Sequence, residues 1–502
     1  MFPINEDRLD KMSEECGVFG VFDNKNKLEV QDIAYYGLYA LQHRGQESAG
    51  IAISNGKEIK YYKGMGLVAD NFDDNTLSQL SGGRIAIGHV RYSTTGDSKV
   101  INAQPLVSKY KKGTMALAHN GNLVNSEEIR SELEENGAIF QTSVDTEVIA
   151  NLIARNNSNG LEEALKNTMN KIKGSYALVI MTEETLIAVR DPYGIRPLAL
   201  GKLDDSYVVA SETCAFDAVG AEYIRDVKPG EIILINEDGL QSIQTPTPLK
   251  TSLCIFEFIY FARTDSTIDG ISVYMARKQA GARLAVEHPV EADMVIGVPD
   301  SGTTAAIGFA EASGIPYGEG FIKNRYVGRT FIQPNQNMRE QGVRIKLNAL
   351  KRMVKGKRVV IIDDSIVRGT TSKKIVEMLR LAGAKEVHMR ISSPPVKYPC
   401  YFGIDTSSKD ELIGYNYSVD EICSIIGADS LGYLSQDGLL KTVEGSSCGF
   451  CEGCFDSCYP MDPNEDRVKL SEECMSDRSY PIDTNEGGSN LLSEEVEHGT
   501  EL

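Results

Sequence analysis

Three groups of residues carry the chemistry open to this sequence. Cys16, in SEECGVFGVF, sets a thiol directly before an apolar run. A cysteine in that place is ordinarily a small core residue. As a thiolate it is also an intrinsically strong nucleophile. A set of downstream motifs favours the second reading: LQHRGQESAGI at 41–51, GHVRYSTTG at 88–96, AHNGNL at 118–123, and Asp145 in SVDTE. The second group is KRVVIIDDSIVRGTTSKKI at 357–375. An apolar strand there delivers two carboxylates, then a short Ser/Gly/Thr loop, then a helix. Small hydroxyls and the free N–H groups of a helix start suit a phosphate. The acidic pair suits ribose hydroxyls and a magnesium-bound sugar. The third group is SSCGFCEGCFDSCYP, with Cys448, Cys451, Cys454 and Cys458. Two C-x-x-C steps followed by C-x-x-x-C are the spacing of a metal centre.

The elements that must position these groups change character along the chain. Residues 16–245 hold short apolar runs broken by Gly, Asn and Asp: GVFGVF, IAIGHVRYST, YALVIMT, LIAVRD, YVVAS and EIILI. Such runs predict a strand-rich layered domain, with helices at IAYYGLYALQHR and SVDTEVIANLIAR. From about 250, strands and helices alternate: ADMVIGVP, SGTTAAIGFAEASG, KRVVIIDD, TSKKIVEMLRLAG, EVHMRI. Continuous apolar strands with intervening helices predict a parallel sheet covered on both faces. Gly383 stands where it can cap the helix that starts near Thr371. Residues 461–502 are polar and acidic, lack the apolar surface to order themselves and are expected to be a flexible tail.

Size and charge narrow the classes. A chain of 502 residues suggests two to four domains at roughly 100–200 residues each. The 52 Lys and Arg against 71 Asp and Glu leave a net charge of −19, which argues against non-specific nucleic-acid binding. With no apolar stretch of about 18 residues there is no transmembrane helix, and MFPINEDRLDKMSEE is not a secretory signal. The expected location is the cytoplasm, where ten cysteines at irregular spacing read as metal-binding or catalytic rather than as a disulfide framework.

The motif set of residues 16–245 resembles the N-terminal-nucleophile glutaminase domain of amidotransferases. The D-D-S-I-V-R-G-T-T run resembles the 5-phosphoribosyl 1-pyrophosphate (PRPP) motif of type I phosphoribosyltransferases. A chain that joins the two resembles the amidophosphoribosyltransferase family (glutamine PRPP amidotransferases), over residues 16 to about 460. The resemblance implies an αββα glutaminase domain (16–245) and an α/β phosphoribosyltransferase domain (250–460). It implies the first step of purine synthesis: glutamine, PRPP and water give 5-phosphoribosylamine, glutamate and pyrophosphate. It further implies a homotetramer inhibited by purine nucleotides.

Residue by residue, the resemblance makes Cys16 the nucleophile and Asn120 and the Gly121 N–H the oxyanion hole. Arg91 would pair with the glutamine α-carboxylate and Asp145 with its α-ammonium. If residues 1–15 are a propeptide cut at Glu15, the freed α-amino group, with an ordinary pKa near 8, is a general base at neutral pH. That removes the need for a catalytic histidine, and His43, His89 and His119 are expected to be structural. Asp363 and Asp364 would take the ribose and magnesium, with Ser365, Ile366, Val367, Arg368, Gly369, Thr370 and Thr371 around the 5′-phosphate. Ser301, in VPDSGTTAA at 298–306, would join the magnesium site. The stretch 321–348 is rich in basic and amide groups and looks like the loop that closes over PRPP, with Lys323, Arg325, Arg329 and Lys346 available for phosphates.

One branch of the family carries a 4Fe-4S cluster and a short leader. Matched by position, its ligands here would be Cys254, Cys400, Cys451 and Cys454. Cys448 would not be a ligand and Cys458 is extra. On spacing alone zinc competes, and Cys254 and Cys400 favour iron–sulfur. Cys214, Cys423 and Cys474 read as core or tail residues. Two rival functions remain: a glucosamine-6-phosphate synthase type of amidotransferase, and a non-catalytic PRPP-sensing regulator. The D-D-S-I-V-R-G-T-T run argues against the first. The full glutaminase set and the acidic charge argue against the second.

Overall fold

The computed structural model describes residues 16–92, 97–324, 347–404 and 408–462. The leader, Arg325, Arg329, Lys346, Cys474 and nearly all of the acidic tail lie outside them.

In the sequence GVFGVF, alternate side chains must face opposite sides of a strand. The strand Gly17–Phe22 forms as expected. Val18 and Phe22 point into one core, Phe19 and Val21 into another. That strand sits inside a seven-stranded antiparallel sheet ordered Glu222–Asp226, Ala199–Leu203, Ser206–Ala210, Gly17–Phe22, Ile85–Arg91, Ser48–Ser54, Ile59–Met65. A second antiparallel sheet runs Gly239–Gln244, Glu231–Asn236, Leu186–Arg190, Gly174–Met181, Gly113–Leu123, Leu106–Tyr110.

The two sheets pack face to face over Val18, Phe22, Ile87, Ala118, Val179 and Ala188. On the outer face of the first lies the helix Val30–Ala40, which buries Val30, Ala34 and Leu38 at a spacing of four. Gly37 lets it close on the sheet, since a Cβ there would stand 2.4 Å from the Phe19 ring. Helices Thr146–Asn156 and Leu161–Lys171 cover the outer face of the second sheet. The result is the αββα layering.

Beyond residue 250 a four-stranded parallel sheet is ordered Met294–Gly297, Arg358–Asp363, Glu386–Ile391, Ser430–Tyr433. Tyr317 extends its first edge by a parallel bridge to Val295. Helices Val273–Glu287 and Thr303–Ser313 pack on one face. Helices Thr370–Leu381 and Val419–Ile426 pack on the other. Helix Thr370–Leu381 ends as its glycine predicts. Gly383 takes φ +92°, its N–H bonds Arg380 O, and the Ala384 N–H bonds Leu379 O. Strand order reverses at Met294–Gly297, with Tyr317 on one side and the parallel strand Arg358–Asp363 on the other, and the carboxyl ends there open the crevice where such sheets bind ligands. A short parallel pair, Leu253–Cys254 with Phe450–Cys451, brings the end of the described chain back to its middle. Among the described residues no helix is long and apolar enough to cross a membrane.

Candidate active site

Cys16 extends the Gly17–Phe22 strand, whose neighbour pairs Gly17 with Val90. The register carries Arg91 and Tyr92 to its side. The Cys16 thiol donates to the Tyr92 carbonyl at 3.4 Å. Burial pushes this thiol up to about 11; Arg91 pulls it down, and Glu47 and Asp145 push it further up. Three residues named from separate motifs (Cys16, Arg91 and Asp145) therefore share one electrostatic site. Glu47 was not foreseen; it lies in the LQHRGQES motif and holds Arg91 Nη1 at 2.8 Å.

Asp145 is fixed from behind. Its Oδ2 accepts the Leu123 N–H at 2.9 Å, and His119 Nδ1 stands 3.4 Å from Oδ1. Burial opposes its charge, but His119 and the Leu123 and Thr146 N–H groups hold the carboxyl below its ordinary value. His89 is buried against the His119 carbonyl at 3.0 Å, and burial pulls its imidazole down to about 3, so it is neutral. His43 bonds Glu212 at 2.7 Å.

Asn120 and Gly121 lie on the Gly113–Leu123 strand, opposite Ala177 and Tyr176. Asn120 is buried, yet its Nδ2 has no hydrogen-bond partner among the described residues. A buried donor left unmade costs roughly 1–3 kcal/mol, so such a group asks for an explanation. Gly121 has φ +145°, and a Cβ there would lie 2.1 Å from the Ser175 carbonyl oxygen, so no other residue fits.

Beneath the thiol, Arg44 Nε donates to the Cys16 carbonyl at 3.1 Å. The same guanidinium reaches Glu212 at 2.5 Å and Glu257 at 2.8 Å. All three side chains are fully buried. Glu257 begins the wide turn Glu257–Phe261, and Arg277 donates to the Phe258 and Ala262 carbonyls at 2.7 and 2.8 Å. Burial lowers Arg277 to about 10 against the pull of nearby Asp364. The sequence held a signal for Glu257: a lone carboxylate in CIFEFIYF must find a buried partner.

In the parallel-sheet half, the two loops expected to meet do so at the carboxyl ends of the adjacent strands. The Val298 N–H bonds the Ile362 carbonyl at 2.9 Å, and a Cβ on Gly302 would stand 2.3 Å from that same oxygen. Asp363, Asp364 and Ser365 are buried, with Ser365 Oγ donating to Asp364 Oδ1 at 2.5 Å. Gly369, at φ +84°, turns the chain into the helix Thr370–Leu381. Arg368 is paired with Glu411 at 3.1 Å, and Lys323 is paired with Asp300 beside Ser301. Ile366 and Val367 lie within the same loop. Their side chains are 2% exposed and packed in the core, so only their backbone can face a phosphate. The ends of the stretch 321–348 pair as strands, Phe321–Lys323 with Leu347–Ala349.

Cys254 and Cys451 are register partners on their parallel strands. Cys454 is buried one turn further on, and Cys400 Sγ accepts the Phe402 N–H at 3.3 Å. Burial raises Cys254, Cys451 and Cys454, and Cys400 adds to the rise at each. The thiols thus feel one another, and the buried Arg196 counters Cys254 and Cys451 with positive charge. Cys458 is disulfide-bonded, and Cys448 is a free cysteine whose backbone N–H donates to Asp269 Oδ2 at 2.9 Å. Among the described residues, however, no three His, Cys, Asp or Glu side chains are arranged to hold a metal ion. That applies to the four thiols, while Ser301, Asp363 and Asp364 together offer two carboxylates and a hydroxyl. That donor set suits magnesium, which one or two carboxylates bind together with substrate phosphates.

Residues 89–218 match the glutamine amidotransferase domain family and residues 271–392 the phosphoribosyl transferase domain family. The chain is 54% identical over 462 residues to the amidophosphoribosyltransferase of Bacillus subtilis, covering 91% of this chain and 96% of the relative. It is 52% identical over 450 residues to that of Archaeoglobus fulgidus, covering 89% and 98%. Among solved structures it is similar to the glutamine PRPP amidotransferase of B. subtilis complexed with ADP and GMP, at 53% identity and a TM-score of 0.84, covering 91% of this chain and all of that one. It is equally similar to a structure described as the allosteric regulatory enzyme of purine biosynthesis, at a TM-score of 0.85. This chain belongs to the amidophosphoribosyltransferase family.

Proposed function

We propose that the protein makes 5-phosphoribosylamine from glutamine and PRPP, releasing glutamate and pyrophosphate, as the first step of purine synthesis. The observation that carries the reading is the convergence of Arg91, Glu47 and Asp145 on the Cys16 thiol, in a chain whose other half holds Asp363–Thr371 at a sheet crevice.

In this reading Arg91 receives the glutamine α-carboxylate as a guanidinium fork, and Asp145 receives the α-ammonium. The Cys16 sulfur attacks the side-chain amide carbon. Negative charge on the former carbonyl oxygen is met by Asn120 Nδ2 and the Gly121 N–H. The orphaned Asn120 amide supports that role. Ammonia leaves, and water hydrolyses the thioester to glutamate. A thiol pushed up to about 11 by burial is protonated at neutral pH, so it needs a base. Removal of residues 1–15 would supply one in the α-amino group of Cys16. Ammonia then attacks C1 of the ribose as pyrophosphate departs.

Asp363 and Asp364 would hold the ribose, and the backbone of Ser365–Thr371 the 5′-phosphate. Lys323 and Ser301 would face the pyrophosphate. Magnesium would be held by Asp363, Asp364 and Ser301 together with substrate oxygens, and when bound it neutralises charge on the leaving group. Cys254, Cys400, Cys451 and Cys454 would hold a 4Fe-4S cluster; four thiols, two buried and two partly buried, near Arg196 suit it in donor chemistry, and when bound it would tie the segments 254, 400 and 451–454 together. Iron and sulfide analysis after anaerobic purification tests that assignment. We divide the chain into a propeptide (1–15), a glutaminase domain (16–245), a phosphoribosyltransferase domain (250–460) and a tail (461–502). We further infer a cytoplasmic homotetramer inhibited by purine nucleotides.

The deciding experiment measures glutamine hydrolysis and pyrophosphate release with and without PRPP. PRPP-stimulated hydrolysis that Cys16→Ala abolishes, with ammonia-dependent synthesis retained, is the expected result. Hydrolysis indifferent to PRPP would overturn the reading, and full activity with residues 1–15 attached would overturn the processing step.

A further inference from the structure

The strand that carries Asn120 and Gly121 is not held by its own half of the molecule alone. The segment Tyr401–Gly403, which follows Cys400 in the other half, lies directly against it. Asn122 Nδ2 donates to the Tyr401 carbonyl at 2.9 Å. Ser175 Oγ donates to the Phe402 carbonyl at 2.7 Å and accepts the Asn122 N–H at 3.3 Å. Arg196 donates to the same Phe402 carbonyl. Gly403, at φ +101°, comes so close that a Cβ on it would stand 3.2 Å from the Gly121 carbonyl carbon and 3.3 Å from its Cα. The far side of the segment is closed by Tyr459. Its ring lies 5.2 Å from Tyr401 and 6.1 Å from Phe402, and its hydroxyl donates to the Pro399 carbonyl at 2.6 Å.

We propose that Tyr401–Gly403 sets the oxyanion hole of the glutaminase, acting through Ser175 and Asn122 as positioning residues. The inference rests on the glutaminase reading above. Oxyanion donors act only if their N–H groups are aimed at where charge develops. Here the peptide of Gly121 is clamped between the Ser175 carbonyl on one side and Gly403 on the other. The Asn122 peptide that follows is pinned by a hydroxyl whose own proton belongs to the other half. Neither Arg91 nor Asp145 makes any of these contacts, and Asp145 is reached one residue further on, through the Leu123 N–H. Loss of this arrangement should therefore weaken transition-state binding and leave ground-state binding alone, which lowers kcat without raising KM.

The experiment compares Ser175→Ala and Asn122→Ala with the wild-type enzyme. It measures glutamine-dependent and ammonia-dependent 5-phosphoribosylamine synthesis and the melting temperature. The expected result is a fall in glutamine-dependent kcat of about tenfold, the scale of a small misplacement at a catalytic centre, with KM for glutamine and ammonia-dependent synthesis unchanged. A wild-type glutamine kcat in both variants overturns the proposal. So does an equal loss of both activities with a lowered melting temperature, which marks a purely structural contact. A wild-type enzyme that makes 5-phosphoribosylamine from ammonia but not from glutamine overturns the glutaminase reading itself, and the proposal with it.

Discussion

Arg44 and Glu257 meet in a fully buried ion pair at 2.8 Å, and the same guanidinium holds the carbonyl of Cys16. One residue comes from the glutaminase half and the other from the start of the phosphoribosyltransferase half. The backbone of the nucleophile therefore rests on a charge from the opposite side of the molecule. Removing one member of a buried pair typically costs roughly 3–5 kcal/mol, because it strands the other. Arg44→Ala would leave the buried Glu212 and Glu257 carboxylates without the guanidinium that bridges them. We expect it to lower the unfolding free energy by about that amount, and Glu257→Gln to cost less. Denaturant titration of both variants checks this; equal stability of Arg44→Ala and wild type would sink it.

Asn120→Ala should reduce glutamine hydrolysis by about 10²–10³-fold in kcat, the usual effect of losing one oxyanion donor. KM should stay close to wild type. Because the amide Nδ2 is buried without a partner, the variant should not be much less stable. A large fall in melting temperature would mean that the amide serves the fold rather than the reaction.

Asp364→Asn should behave differently from any change near Cys16. It alters the sugar and magnesium end, so synthesis from ammonia and from glutamine should fall together, by about 100-fold. Steady-state assays with both nitrogen donors distinguish this from a glutaminase defect, in which only the glutamine reaction suffers.

His89 gives the fold an acid sensitivity whose sign follows from its burial. Its imidazole lies near 3 in the folded protein against 6.5 ordinarily. Between these values the unfolded chain binds one more proton than the folded one. Stability attributable to this site is complete above about pH 6.5 and falls as pH drops toward 3, by about 1.4 kcal/mol per unit. His89→Asn should flatten the curve between about pH 6 and 4. Parallel curves for variant and wild type would refute the assignment.

The local devices were legible in the sequence. The apolar run GVFGVF foretold a strand of a layered domain, and D-D-S-I-V-R-G-T-T foretold strand, turn and helix with the carboxylates at the strand's end. The long-range pairs were not. Nothing near Arg44 names Glu257, and nothing near Gly121 names Gly403, since such partners are set by how the layers stack rather than by propensity or period. That the Ile366 and Val367 side chains turn into the core was hidden for a related reason. A motif marks a loop that approaches a ligand, but the alternation of the backbone decides which side chains turn inward to the core.

The short parallel pairing of Leu253–Cys254 with Phe450–Cys451 also sets a clock. A ribosome adds ~5–20 residues per second, so roughly 10–40 s pass between synthesis of Cys254 and synthesis of the strand it pairs with. During that time Cys254, deeply buried in the finished protein, is a nascent thiol with its neighbours still unmade. That seam is thus among the last places to close, and a ribosome stalled before residue 450 leaves it open.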